Sequence, residues 1–388
     1  MFRPQHGGNL SWAAAQAGCL PTEILDFSAS INPLGPPQSV LKAIRQHLDE
    51  ISSYPDPAST ILRQALSQLH QVPMDWILVG NGAAELLTWA CRSLSELKQV
   101  HLVTPAFSDY GRALRAFGAK ILTHNLNLPI DLPSRSVALW ADLSEDFLLR
   151  SLAAFLSDPS FDAQEASASG LLLNNPHNPT GQIATKADLL PLLDCFSQVV
   201  VDEAFMEFLP QEDAYSLVGE IEAHPNLVVL RSLTKFYSIP GLRLGYAIAH
   251  PDRLAQWQQW RDPWSVNVLA MQAGVAGLQD IAFQGATYDW LAAAKPQLQA
   301  GLAALSGLTP LPSAANFFLV HCDASVLALQ KALLQQRLLI RDCMSFAELG
   351  DRYFRVAVRT EAENVRLLQA LADKLSDPLL SLSRPNLT

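Results

Sequence analysis

Between residues 38 and 250 the chain alternates short, nearly continuous apolar runs with helical patterns, and this alternation restricts its fold more than any other feature. The apolar runs cover residues 76–79, 100–103, 120–123, 137–140, 171–173, 199–201, 227–230 and 244–248. Helical spacing occupies residues 40–49, 83–94, 108–117 and 187–196. A strand that is apolar on both faces must be covered on both, and helical crossovers supply the cover. The expectation is an α/β fold with a large, mostly parallel sheet. Residues 157–169, rich in Ser, Ala and Asp, read as a surface loop.

Past Asp262-Pro263-Trp264 the pattern changes. Long helical stretches fill residues 266–306, followed by a strand at 316–320 and a helix at 325–337. Strands at 338–341 and 353–358 and a helix at 362–375 complete a smaller α+β unit, and residues 376–388 read as a frayed tail. The 388 residues carry a formal charge of −10 and no long basic run, which argues against nucleic acid or an anionic membrane as partner. Five cysteines are scattered without metal-ligand spacing, so they read as reduced thiols of a cytoplasmic protein that holds no metal. The first residues show no apolar signal core, and no apolar run reaches membrane-spanning length.

The chemistry begins at Ser232-Leu233-Thr234-Lys235, directly after the apolar run 227–230, with Gly241-Leu242-Arg243 close behind. A lysine at the end of a buried strand can lose its proton and act as a nucleophilic amine. Hydroxyls and an arginine beside it suit a phosphate. Together they describe a seat for pyridoxal phosphate, with Lys235 in Schiff-base linkage to its aldehyde. The segment resembles the lysine region of the fold-type I pyridoxal-phosphate enzymes, the aspartate aminotransferase superfamily. Within it, the chain is most similar to the branch that holds histidinol-phosphate aminotransferase and threonine-phosphate decarboxylase. Matching motifs run from His6 to Asn364.

The resemblance implies an aspartate aminotransferase-like fold, with a large cofactor-binding domain over residues 37–262. Residues 1–36 would join 263–388 in a discontinuous small domain. In Val199-Val200-Val201-Asp202-Glu203, Asp202 takes the place of the acid facing the pyridine nitrogen, where a carboxylate keeps that nitrogen protonated. In Asn174-Asn175-Pro176-His177-Asn178-Pro179-Thr180-Gly181, Asn178 inherits the bond to the phenolic oxygen. Gly82, Ala83 and Ala84, in a strand-to-helix turn, would offer backbone amides to the phosphate. Ser232, Thr234 and Arg243 would add side-chain ligands. Phe107 matches the aromatic that stacks on the ring, with Tyr110 as the alternative. Tyr54 matches a tyrosine that reaches a neighbouring subunit's phosphate, which implies a homodimer with shared sites.

Which bond breaks depends on how the substrate's anions are held. His6-Gly7-Gly8-Asn9 resembles the decarboxylase's substrate-phosphate site, with His6, Gly8 and Asn9 as contacts. The segment from Asp26 to Gly35, including Asn32, also resembles the decarboxylase more than the aminotransferase. Phe205 stands where aminotransferases of the branch usually carry Tyr. Arg341 and Arg355 match the substrate-anion arginines. Arg355 and Arg359 lie four apart on one strand, so alternation puts both on the same face, or Arg359 could pair with an acid such as Glu361 or Glu363 instead. The resemblance thus implies pyridoxal-phosphate-dependent decarboxylation of L-threonine O-3-phosphate, feeding the cobalamin side chain. Transamination of histidinol phosphate is the alternative, and a noncatalytic regulator would be expected to lack Lys235 or Asp202.

Overall fold

The computed structural model describes residues 3–126, 162–346 and 348–376. The expected strand at 137–140, the start of the expected loop at 157–169 and most of the expected tail lie outside the described residues. The remainder of that loop carries a one-turn helix, Ala163–Ala166, capped by Asp162.

The large sheet has seven strands: β2 (Ile77–Asn81), β3 (Val100–Thr104), β4 (Ile121–Asn125), β5 (Gly170–Asn174), β6 (Gln198–Asp202), β7 (Leu227–Ser232) and β8 (Leu244–Ala249). Their order is β2-β8-β7-β6-β5-β3-β4. Pairings from β7 through β4 are parallel, and β8 runs antiparallel to both of its neighbours. The α/β expectation therefore holds. The strands are apolar on both faces because each face has its own core. Side chains alternate across a strand, so Leu171, Leu173, Val199, Val201, Leu227 and Val229 enter one cluster. Leu172, Val200, Val228 and Leu230 enter the other.

A second, antiparallel sheet joins β12 (Arg341–Asp342), β13 (Tyr353–Ala357), β10 (Phe317–Cys322) and β9 (Leu308–Pro310) in that order. Near it, β1 (Leu25–Asp26) pairs in parallel with β11 (Leu338–Leu339). The expected helical stretch at 266–306 is two helices, Val268–Leu278 and Ile281–Ala303, separated where Asp280 caps the second.

Candidate active site

The parallel strands β5, β6 and β7 all deliver polar residues at their C-terminal ends, where open α/β sheets form crevices. These are Asn174, Asp202 and Ser232, and Lys235 follows on a one-turn helix, Leu233–Phe236. A cavity of about 530 Å³ opens there, lined by Lys235, Asp202, Asn178, Arg243, Phe107 and Tyr110. His6, Gly8, Arg341 and Arg355 line it too.

Burial holds the Lys235 amine below the ordinary lysine range, although Asp202 and Glu207 pull it the other way. Burial raises the Asp202 carboxyl, and the charge of Lys235 with the Tyr110 hydrogen bond opposes that rise. The Tyr110 hydroxyl donates to Asp202 Oδ2 at 2.7 Å, a partnership across 92 residues of chain. Lys235 Nζ sits 4.8 Å from the centre of the Phe205 ring. Phe205 itself packs edge-on against Phe317 at 5.0 Å.

The lining also includes an unusual cross-strand pair. Arg341 on β12 lies directly opposite Arg355 on β13. Like charges in that position repel. Their hydrogen-bond partners are uncharged: the Gln5 carbonyl and the Ser345 hydroxyl for Arg341, and Asn178 Oδ1 for Arg355 at 2.5 Å. Burial, followed by the charge of Arg341, pushes Arg355 down to about 10. Arg355 Nε is buried without a hydrogen-bond partner. Two buried guanidinium groups facing one cavity without a carboxylate bond leave donors for an anion.

The sequence profile of the aminotransferase class I and II family matches residues 22–371. The chain belongs to that family. It is 40% identical over 381 residues to the threonine-phosphate decarboxylase of Salmonella typhimurium, covering 97% of this chain and 98% of that one. It is 32% identical over 364 residues to the histidinol-phosphate aminotransferase of Symbiobacterium thermophilum, covering 92% and 91% of the two chains. Its fold matches the histidinol-phosphate aminotransferase of Sinorhizobium meliloti, solved in complex with pyridoxal-5'-phosphate. That match has a TM-score of 0.78 at 23% identity, over 96% of each chain.

Aminotransferases of class I and II depend on pyridoxal phosphate, and the cavity fits such a group. The helix Ala83–Ser95 is preceded by Gly82, at a φ of 79°, which has no side chain to cap the helix end. A Cβ on Gly82 would lie 2.5 Å from Arg243 Nη2, so glycine lets the guanidinium cover the helix N-terminus. A cation over exposed helix amides is a seat for a phosphate. The Ser232 and Thr234 hydroxyls meet at 2.8 Å, both buried nearby. Gly82→Ala is expected to weaken pyridoxal phosphate binding about tenfold, or ~1.4 kcal/mol, in a titration followed by the bound cofactor's absorption. Unchanged affinity would remove Arg243 and this turn from the phosphate seat.

Asn32, Asn9 and Arg359 are not where the motifs put them. Asn32 is buried away from the cavity, its amide donating to the Phe236 carbonyl at 2.9 Å and Thr287 Oγ1 at 2.8 Å. Its Oδ1 accepts from Leu34 N, so the side chain is a structural tie. Asn9 caps helix α1 (Leu10–Ala17), with Oδ1 accepting from Trp12 N at 3.0 Å. Gly8 lines the cavity, but its N–H donates to Ser28 Oγ and its carbonyl accepts from Leu10 N–H. Arg359 lies beyond the end of β13 at Ala357, so strand alternation does not carry it to the face of Arg355. It forks onto Glu363 at 3.0 and 3.2 Å instead. Tyr54, expected to reach a neighbouring subunit's phosphate, is 80% exposed, with its ring 4.6 Å from Trp264. Residue-by-residue reading missed Asp26, Ser28 and Phe346 in the lining. Among the described residues no cluster of metal-ligating side chains occurs, and no helix is long and apolar enough to cross a membrane.

Proposed function

We propose that this chain decarboxylates L-threonine O-3-phosphate to (R)-1-aminopropan-2-yl phosphate, a reaction serving cobalamin biosynthesis. The Arg341–Arg355 pair carries the reading. A substrate with both a carboxylate and a phosphate needs more than one guanidinium, and these two face the cavity that holds Lys235. The near full-length likeness to a threonine-phosphate decarboxylase supports it.

Bound pyridoxal phosphate would supply an electron sink for the electrons left when a bond to the substrate's Cα breaks. Arg243, Gly82, Ala83, Ala84, Ser232 and Thr234 would hold its phosphate. Asp202 would face its ring nitrogen, and Asn178 its phenolic oxygen. Phe107 or Tyr110 would lie on its face. Tyr110 fixes the orientation of Asp202 through their hydrogen bond. Arg355 and Arg341, with His6 at the mouth, orient the substrate so that its carboxylate is the group released. Lys235, whose charged form burial disfavours, returns a proton to Cα. Phe205 offers no hydroxyl beside Lys235, so nothing at that position competes for the proton.

The division into residues 37–262 and 1–36 with 263–388 belongs to the same proposal, supported by the pairing of β1 with β11. So does a cytoplasmic homodimer. The exposed Tyr54–Trp264 pair supports it by offering an aromatic surface to a second copy.

The deciding experiment supplies L-threonine O-3-phosphate to the holoenzyme without any oxo acid. Carbon dioxide and aminopropanol phosphate should appear together over many turnovers. Turnover of histidinol phosphate with 2-oxoglutarate, and no carbon dioxide, would make this chain an aminotransferase. Arg355→Gln is expected to raise KM for the phosphorylated substrate about 100-fold by removing charge-assisted bonds to its anion. A KM unchanged within error would take Arg355 out of the substrate site.

A further inference from the structure

The cavity wall near the arginine pair carries an acid, Asp26, which the reaction outlined above does not use. A carboxylate at the anion end of a cavity opposes anion binding unless its bonds are committed elsewhere. Asp26 commits its Oδ1 and its backbone carbonyl. Its carbonyl accepts from Arg359 Nη1 at 3.1 Å. The neighbouring Leu25 and Phe27 donate to the Arg337 and Leu339 carbonyls at 2.9 and 2.8 Å, which bolts the backbone to β11. Its side-chain Oδ1 accepts from the Ser28 amide at 2.7 Å and from the Ser28 hydroxyl at 2.6 Å.

The second of these bonds has a directional effect. A hydroxyl has one proton. With that proton given to Asp26, Ser28 Oγ is left as an acceptor, and it takes the Gly8 N–H at 2.8 Å. Gly7 lies directly on the Ser28 backbone, where a Cβ would fall 2.2 Å from the carbonyl oxygen. A line from Asp26 through Ser28 to Gly8 therefore pins residues 6–8 to the wall, and all three line the cavity. A neighbouring tether, from Arg341 to the Gln5 carbonyl, uses a guanidinium that a bound anion also needs. The Asp26 line uses none of the proposed anion-binding side chains.

We infer that Asp26 is a positioning residue for the substrate's phosphate, acting through Ser28 to hold the His6–Gly8 segment where His6 and Arg341 can meet the anion. This rests on the reading of that end of the cavity as the phosphate site. A preset segment saves the ordering cost that a loose one would impose on each binding event.

Steady-state kinetics of the holoenzyme with L-threonine O-3-phosphate test it, using wild type, Asp26→Ala, Asp26→Asn, Ser28→Ala and the double alanine variant. Asp26→Ala and Ser28→Ala should each raise KM about tenfold and weaken competitive inhibition by inorganic phosphate equally, with kcat within about threefold of wild type. Asp26→Asn, whose amide oxygen can accept both Ser28 bonds, should stay within about threefold of wild type in KM. The double variant should be no worse than either single one, because both break one line. An unchanged KM in Asp26→Ala beside an active wild type would overturn the inference alone. So would equal losses in Asp26→Ala and Asp26→Asn, or additive losses in the double variant. A wild type that releases no carbon dioxide would remove the functional reading and this inference together.

Discussion

Replacing Lys235 with alanine is expected to lower carbon dioxide release from L-threonine O-3-phosphate by at least about 10⁴-fold while the chain stays folded. Lys235 lines the cavity, and no other described lysine does. Its burial already disfavours the charged form, which favours its action as a base. The loss should fall mainly on chemistry, because Asp202 keeps its hydrogen bonds from the Tyr110 hydroxyl and the Ala204 amide. One local cost is foreseeable. Asp202 loses the cation that opposes its upward shift, so its carboxyl should rise further. The variant should still bind pyridoxal phosphate through the Gly82–Arg243 seat, with an altered absorption band. Residual turnover above about one hundredth of wild type would sink the role given to Lys235. Lys235→Arg keeps the charge without the nucleophilic amine and should be equally inactive.

Much of the cavity was readable from the sequence for a local reason. Lys235, Asp202 and Asn178 each follow an apolar strand of the central sheet, and a parallel sheet aligns such ends along one edge. Arg243 is close enough to Lys235 in the chain to be carried along. The alternating burial of β5, β6 and β7 also made the two-sided core legible. What failed depended on boundaries or on distant partners. Arg359 was placed by strand alternation, but β13 ends two residues earlier. A capping box, in which Thr360 and Glu363 bond each other's backbones, starts the last helix there. The Thr-x-x-Glu spacing was a visible signal for that boundary, and it explains why Glu363 turns back to Arg359. Asn32 was lost to Phe236 and Thr287, which lie 204 and 255 residues away. Local patterning has no access to such partners. Asp26 and Ser28 are the opposite case. Their bond spans two residues, a spacing typical of an Asx turn, and it gained meaning only when Gly8 was seen to dock on it.

The largest stability effect is expected from Arg231→Met, with a loss of about 3–5 kcal/mol at pH 8. Arg231 is fully buried on β7 and lies one residue before Ser232, while Glu203 lies one residue after Asp202. Its guanidinium meets Glu203 at 2.9 Å, Glu212 at 3.1 Å and Glu207 at 3.5 Å, and it donates to Ser216 Oγ at 2.8 Å. One cation thus serves three acids, and burial pushes Glu207 from its ordinary 4.5 up to about 7. An acid with a raised folded pKa stabilises the fold fully below its unfolded pKa, and that contribution is lost as pH climbs through the folded value. For Glu207 in the wild type the window runs from 4.5 to about 7. Without Arg231, the attraction that lowers Glu203 and Glu207 disappears, and both folded values climb further. The variant's deficit should therefore be smallest near pH 5 and widest at pH 8, where burying unpaired carboxylates costs most. Urea unfolding at the two pH values measures this directly. An equal deficit at both, or one under about 1 kcal/mol at pH 8, would mean that the cluster is screened by solvent. A pH-dependent loss would tie the ends of β6 and β7, and with them Asp202 and the Ser232–Lys235 turn, to one buried cation behind the cavity.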